Sequence, residues 1–418
     1  MTTATARRII RLLALTLVAS CLINVFYTFG QRIVGRGVKI QSLKVESPLY
    51  LSGARVGDTL LEVDARKIRE PDDLLSALSE PERRPAIIKA YRHELLPIFK
   101  VTRGKFLDGN TAQEKLGLES WSRGRDWRAS GFYGHYVTYA EVLQLILALA
   151  VALYVTLPFK RSWTGALLLL AVAGLIGSLI LTVTRASWLA FMISSAVILL
   201  LGASRRNLLA VGVLAIPLIL AGLFILQQKR NVGFFDQNDA SVTWRETVWR
   251  GGFDLLVSKP RHLLVGVGMD SIKSHWREWG LFDHGRLPLG HMHSDVLQIA
   301  LERGVPALLV WLTLLVLYAR VLWRLNRDLT EAKSGEEAKN NDWLLGAWIE
   351  RAIVLGALGG LAGFFISGLF EYNWGDSEVV MIFYLIMGLT LALQRATLPV
   401  ARAATREQRA NNPIVRRC

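Results

Sequence analysis

Five of the chain's seven histidines, His262, His275, His284, His291 and His293, fall in one polar stretch that ends where an apolar run begins. An imidazole titrates near neutrality, so it can take a proton from a hydroxyl or, as the neutral ring, ligate zinc. The zinc reading lacks its usual frame. The stretch holds no His-Glu-x-x-His helix, and no nearby carboxylate completes a ligand set beside His291-x-His293. His262, His275 and His284 read as surface residues. His293 stands apart because it opens the run Ser294-Asp295-Val296-Leu297-Gln298-Ile299-Ala300-Leu301-Glu302-Arg303-Gly304, at the mouth of an apolar segment. Arginine supplies the second group. Arg128, Arg185, Arg245 and Arg250 lie at the ends of apolar runs or within the polar stretch. A guanidinium donates two parallel hydrogen bonds to a phosphate, which suits an anionic substrate. Arg185 has no carboxylate close in sequence. A charge at such a position is more often functional than incidental, and the competing reading is an arginine that snorkels to the membrane interface.

These side chains must be positioned by membrane helices. The chain is 52% hydrophobic with a formal net charge of +15, an apolar content that excludes a soluble basic nucleic-acid binder. No basic patch with interleaved aromatics is present. The apolar residues gather into runs of about twenty, the length that crosses roughly 30 Å of hydrocarbon. Runs near 12–29, 137–158, 162–183, 186–203, 207–226, 295–323, 347–369 and 376–394 predict about eight spans. The first, preceded by Arg7, Arg8 and Arg11 and followed by no clear cleavage site, reads as an uncleaved signal anchor. Cys21 and Cys418 sit far apart, so neither a disulfide framework nor a thiolate metal site is expected.

Placing the N-terminus in the cytoplasm puts Lys160–Arg161, Arg205–Arg206, the basic segment from Arg320 to Lys339 and the tail with Arg402, Arg406, Arg409, Arg416 and Arg417 on the inside. That is the positive-inside pattern. It sends residues 31–130 and the 227–293 loop to the outside, so the chemistry is expected to be periplasmic. The expected organisation is an anchor over 1–30, a periplasmic domain over 34–104 and a linker over 105–135. Spans two to five follow over 136–226, the catalytic loop over 227–293, spans six to eight over 294–395 and a basic cytoplasmic tail over 396–418.

Within the periplasmic domain, Val56-Gly57-Asp58 is followed by an alternating strand, a polar turn and an amphipathic helix from Pro71. Ile87–Arg92 and Pro97–Arg103 would supply closing strands. This small α+β segment resembles a bacterial PDZ domain, with Gly35-Arg36-Gly37-Val38 a loose match to the peptide-binding loop. The resemblance implies capture of a protein partner's C-terminus by strand addition; a spacer domain is the alternative.

Four further stretches carry a second resemblance. They are Arg128-Ala129-Ser130-Gly131-Phe132-Tyr133-Gly134-His135-Tyr136 before the second span and Thr184-Arg185-Ala186-Ser187-Trp188 before the fourth. The others are Arg245-Glu246-Thr247-Val248-Trp249 with Lys259-Pro260 and Gly266-Val267-Gly268, and His293-Ser294 followed by nine residues and Gly304. In this order they resemble the O-antigen ligase and polymerase family of membrane glycosyltransferases; Ala307 is a mild departure three residues after the glycine. The resemblance implies a polytopic α-helical, type-C glycosyltransferase-like fold in the bacterial inner membrane. It implies transfer of an undecaprenyl-diphosphate-linked glycan to a lipid A-core or other glycan acceptor, with neither metal nor other cofactor.

A sugar hydroxyl is a poor nucleophile at neutral pH, and a general base contributes about 10²–10⁴-fold. His293 is the expected base, with Arg185 and Arg245 clamping the diphosphate and Arg250 assisting. Arg128 and His135 are expected to shape the acceptor side. Glu302 would orient His293 if the helix breaks near Gly304. Family members carry more N-terminal spans, so this chain is either a compact variant or one that needs a partner. Other readings stay open: an O-antigen polymerase, a protein O-oligosaccharyltransferase, a non-catalytic scaffold, or an intramembrane metalloprotease, for which the nearest string is His93-Glu94-Leu95-Leu96-Pro97.

Overall fold

A computed structural model describes residues 3–81, 84–92, 96–125, 127–203, 240–287, 290–332 and 341–411. The expected span at 207–226, Arg205–Arg206, the first part of the catalytic loop, His93-Glu94, Lys333–Lys339, Arg416, Arg417 and Cys418 lie outside the described residues. Among the described residues, seven helices are long and apolar enough to cross a membrane, and the protein is a multi-pass membrane protein. The chain divides into two compact units, one of Met1–Leu22, Val137–Ile180 and Thr184–Cys418, the other of Ile23–Tyr136 with Leu181–Val183.

The first unit holds the spanning helices apart from α1 (Thr3–Val34), which is divided between the two units at Leu22. Helices α5 (Tyr136–Thr156), α6 (Trp163–Leu181) and α7 (Arg185–Gly202) precede α12 (Asp295–Ala332), α13 (Asn341–Gly368) and α14 (Ser377–Asn411). Lipid tails give apolar faces no reason to leave them, so helices associate through close backbone approach and polar contacts. Here α13 supplies glycines for that purpose. A methyl on Gly359 would collide with Ile198, and one on Gly363 with Gln144 and Ser194. Without those methyls, Ser194 Oγ donates to the Gly359 carbonyl at 2.7 Å and accepts from Gln144 Nε2 at 2.8 Å. The pairs Gly202–Leu355, Ser194–Gly359 and Ala190–Gly363 run in opposite directions along the two helices. Helix α7 is therefore antiparallel to α13, and Arg185 opens α7 at the end where α13 finishes. Near the other end of α13, buried Glu350 accepts from Arg7 and from Arg11, whose Nε stands 2.8 Å away.

The second unit is an α+β domain. Its sheet has β5 (Ile98–Val101), β4 (Ala86–Tyr91), β2 (Thr59–Val63), β1 (Arg36–Leu43) and β6 (Leu118–Gly124) in that order, with β3 (Arg66–Lys67) paired to β2. A core of Val38, Ile40, Leu60, Leu74, Leu78, Ile88 and Phe99 lies beneath α3 (Pro71–Ser79). Buried Asp58 accepts from Arg92 Nε at 2.6 Å and from a second guanidinium nitrogen at 2.7 Å. This hydrogen bond holds the Arg92 guanidinium above its usual pKa against the burial that lowers it. The sheet extends past the expected domain end at 104. Residues 118–124, expected in a linker, pair with β1 from Gly124 opposite Arg36 to Leu118 opposite Leu43. Their alternation of Glu, Ser and Arg with a few apolar residues hides a strand whose anchors are Leu118 and Trp121.

Candidate active site

The helix α8 (Ala240–Val257) carries Trp244, Arg245, Val248 and Trp249 at positions one turn apart. Val248 is buried in a cluster with Leu256, Ile272, Leu281, Phe282, Met292, Ala300 and Leu301. Burial of this face aims its polar members at the 291–293 turn. Trp249 Nε1 donates to the Met292 carbonyl at 2.8 Å, and the Met292 amide donates to Gln298 Oε1 at 2.8 Å. Both backbone groups of Met292 are thereby fixed before the chain enters α12. His293 takes φ 48 in this turn, a left-handed conformation that a residue with a Cβ adopts only where its surroundings hold it. Its amide donates to His291 Nδ1 at 3.1 Å, and its ring meets the Trp244 ring edge-on at 4.6 Å.

The helix does break at Gly304, the condition set for Glu302 to reach His293, with φ 84 and ψ 163 inside α12. Ending the first segment there frees its last carbonyls, which need donors from elsewhere. The Gly266-Val267-Gly268 stretch supplies them: the Val267 amide donates to Leu301 O at 2.8 Å and the Gly268 amide to Glu302 O at 3.1 Å. The approach is close enough that a methyl on Gly266 would strike the Glu302–Arg303 backbone, and one on Gly304 the Leu264 carbonyl. The two glycine motifs thus form one joint that fixes the direction in which α12 leaves His293.

The carboxylate on His293 comes from the connection between α13 and α14. Glu371, 6% exposed, accepts from His293 Nδ1 at 2.7 Å and from an Arg245 terminal nitrogen at 2.7 Å. Arg245 Nε also donates to the Phe370 carbonyl at 3.3 Å. Burial alone would raise the Glu371 pKa. The hydrogen bond and charge of His293, with the charge of Arg245, outweigh it and hold the carboxyl below its ordinary value. An ionised carboxylate only accepts, so Nδ1 carries a proton, and whenever the ring is neutral the lone pair falls on Nε2. The contact sets the tautomer of the ring from behind.

Glu302, expected to orient His293, has other partners. Its Oε1 accepts from Gln298 Nε2 at 2.8 Å and from the Asp270 amide at 3.3 Å, and Arg303 lies 3.3 Å from Oε2. It lies on the same continuous helical segment that begins after His293, so its side chain serves the Gly304 joint instead.

Of the expected site residues, the structure joins His293 and Arg245 through Glu371. Arg185 is placed at the start of α7, the end of the helix pair from which α13 runs into Phe370–Glu371. Arg250 is exposed on a different face of α8 from Arg245. In the second unit, Arg128 and His135 gather on Tyr136: the guanidinium lies 4.5 Å from the ring centre and the imidazole 4.4 Å. The remaining histidines make local contacts, His262 Nδ1 with Leu255 O at 2.8 Å and His275 against Trp279 at 5.4 Å. Among the described residues, no group of three or more His, Cys, Asp and Glu side chains is arranged to hold a metal ion.

Sequence reasoning missed Glu371. It lies 78 residues beyond His293, and the available signal was a cluster of polar groups, Glu371, Asn373 and Asp376, packed into one short inter-span connection. That connection is itself tied down. The Trp374 amide donates to Asp295 Oδ1 at 3.0 Å, Asn373 Nδ2 donates to Phe364 O at 2.9 Å, and Thr138 Oγ1 donates to Asp376 Oδ2 at 2.5 Å. Burial raises the Asp376 pKa against that hydrogen bond, and the nearby Glu378 adds to the rise.

Residues 170–312 match the family model described as O-Antigen ligase. The matched stretch contains Arg185, Arg245, Arg250, His293 and Glu302, and it stops short of Glu371. Among curated proteins, none matches the chain.

Proposed function

We propose that this multi-pass membrane protein of the O-antigen ligase family transfers a polyprenyl-diphosphate-linked glycan to a lipid A-core acceptor, with His293 as general base. The observation that carries the reading is the Glu371–His293 pair at 2.7 Å, which presents Nε2 as a proton acceptor. The acceptor hydroxyl attacks the anomeric carbon, and its proton passes to His293 Nε2 as the new C–O bond forms. The bond from that carbon to the diphosphate oxygen breaks, and the leaving group takes the electron pair. Glu371 stabilises the imidazolium that results, as a buried carboxylate does behind a catalytic histidine.

Arg185 and Arg245 are assigned to the diphosphate. Arg245 has a second duty, since its contact with Glu371 keeps that carboxylate ionised. Arg250 assists from the exposed face, and Arg128 and His135 on Tyr136 serve the acceptor side. The reaction needs no metal, because the leaving group is already activated and arginine offsets its charge. The distribution of Lys and Arg along the chain supports an inner-membrane location with the site on the periplasmic face. The sheet domain is assigned a PDZ-like role in partner capture.

The test supplies membranes containing the protein with lipid-linked glycan and, in turn, lipid A-core sugar, a growing glycan chain and a serine-containing peptide. Ligase activity predicts product with the first alone, lost in Arg185→Ala. Product only with the second or third would reassign the chain to polymerase or protein glycosylation. Undiminished transfer by Arg185→Ala would remove that residue from the diphosphate site.

A further inference from the structure

The connection that carries Glu371 ends in a group of buried oxygens whose hydrogen bonding is incomplete. Asp295 is 0% exposed, and while its Oδ1 accepts the Trp374 amide, its Oδ2 has no partner. Asn373 is 1% exposed; its Nδ2 is fixed by two acceptors, Phe364 O at 2.9 Å and Ser367 Oγ at 2.8 Å, so its Oδ1 is oriented, and that oxygen also lacks a partner. Both orphan oxygens converge on Gly368. A methyl there would overlap Asp295 Oδ2 and stand 3.1 Å from Asn373 Oδ1. Two buried acceptors facing one gap are costly unless a donor lies between them.

The surroundings decide what that donor is. Glu141, 2% exposed with Oε1 unpartnered, lies within electrostatic reach of Asp295, Glu371 and Asp376. Arg245 and the ring of His293, which approach this group, both pair with Glu371. A further unpaired negative charge is therefore disfavoured. No third ligand completes a metal site among the described residues.

We propose that Asp295 is a neutral carboxylic acid whose Oδ2–H, directly or through one water, satisfies Asn373 Oδ1 and so latches the 369–376 connection that presents Glu371 to His293. Asp295 is thus a positioning residue for the base. One proton completes the pocket: Oδ1 stays an acceptor for Trp374 and Oδ2 becomes the missing donor. Gly368 keeps the space between them open. This reading rests on the proposed function only for its effect on transfer; the protonation of Asp295 stands separately.

The test uses the full chain in lipid nanodiscs. Infrared difference spectra of wild type against Asp295→Asn report a protonated-carboxyl C=O band directly, whether or not the protein transfers glycan. The band is expected in wild type, absent in Asp295→Asn, and shifted in Asn373→Leu, where its acceptor is gone. Transfer is read in parallel. A carboxamide in place of the carboxyl would offer an acceptor and a donor in the same positions, so Asp295→Asn is expected to retain a rate about tenfold above that of Asp295→Ala, the cost of one buried hydrogen bond of about 1.4 kcal/mol. Absence of the band from the wild-type difference spectrum, or a rate for Asp295→Asn as low as for Asp295→Ala, would overturn the proposal. Loss of transfer in every variant and in wild type, with the band present, would leave the latch standing and count against the transferase reading alone.

Discussion

Replacing Glu371 by Gln separates charge from shape at the centre of the site. The carboxylate takes two hydrogen bonds of 2.7 Å, from His293 Nδ1 and from Arg245. Glutamine keeps one acceptor and turns the other oxygen into an amide donor. If the amide faces Arg245, two donors oppose each other. If it faces His293, the ring must put its lone pair on Nδ1 and its proton on Nε2, which disables the base. A hydrogen bond to a charged group is worth about 1.5–3 kcal/mol. At about 1.4 kcal/mol per tenfold, loss of one such bond slows transfer roughly 10- to 150-fold. Loss of the tautomer would deepen the effect toward the full contribution of a general base, about 10²–10⁴-fold. The assay is glycan transfer by purified protein in vesicles, with thermal melting as a control for folding. A folded Glu371→Gln protein that transfers at the wild-type rate would refute the reasoning, because neither contact would then matter to the reaction.

The lowered Glu371 pKa predicts a pH signature in stability. A carboxyl depressed in the folded state contributes stability above the ordinary carboxylate range and loses it as pH falls through the lowered folded value. The melting difference between wild type and Glu371→Gln should persist from neutrality down to that range and close only below it; a gap already closed at a pH of about 6 contradicts this. Gly304→Ala places a Cβ at φ 84 and against the Leu264 carbonyl. It should lower stability by about 1–3 kcal/mol or more, read as a drop in melting temperature. Trp249→Phe leaves the Met292 carbonyl without its donor at 2.8 Å and should cost about 1–3 kcal/mol, with transfer slowed because the turn bearing His293 loosens. In the sheet domain, Asp58→Ala removes two hydrogen bonds from the part-exposed Arg92, which keeps the Gly53 carbonyl at 2.8 Å, and should cost about 1–3 kcal/mol, seen as increased protease sensitivity of residues 36–124.

The elements were legible where a single physical signal dominates. Runs such as 137–158 and 347–369 are mostly apolar, and α5 (Tyr136–Thr156) and α13 (Asn341–Gly368) lie over them. His293 stood out as a polar group at the mouth of such a run and Arg245 as a guanidinium within the polar stretch before it. Long-range pairing was not legible. Glu371 has no spacing relationship to His293, so Glu302, a carboxylate on the apolar run that His293 opens, stood in for it. Only the packing of α12 (Asp295–Ala332) beside α13 shows that Glu302 closes the Gly304 joint while Glu371 meets the histidine. Strand β6 was hidden for a different reason. Leu118-Glu119-Ser120-Trp121-Ser122-Arg123-Gly124 is an edge strand with one poorly covered face, so its alternation is too weak to separate from a polar linker.

The most direct measurement is the single-turnover rate of glycan transfer from a polyprenyl diphosphate carrier by purified wild type and His293→Ala, reconstituted side by side. The account predicts that the variant binds the carrier but transfers about 10²–10⁴-fold more slowly. A His293→Ala protein that transfers at the wild-type rate would contradict it.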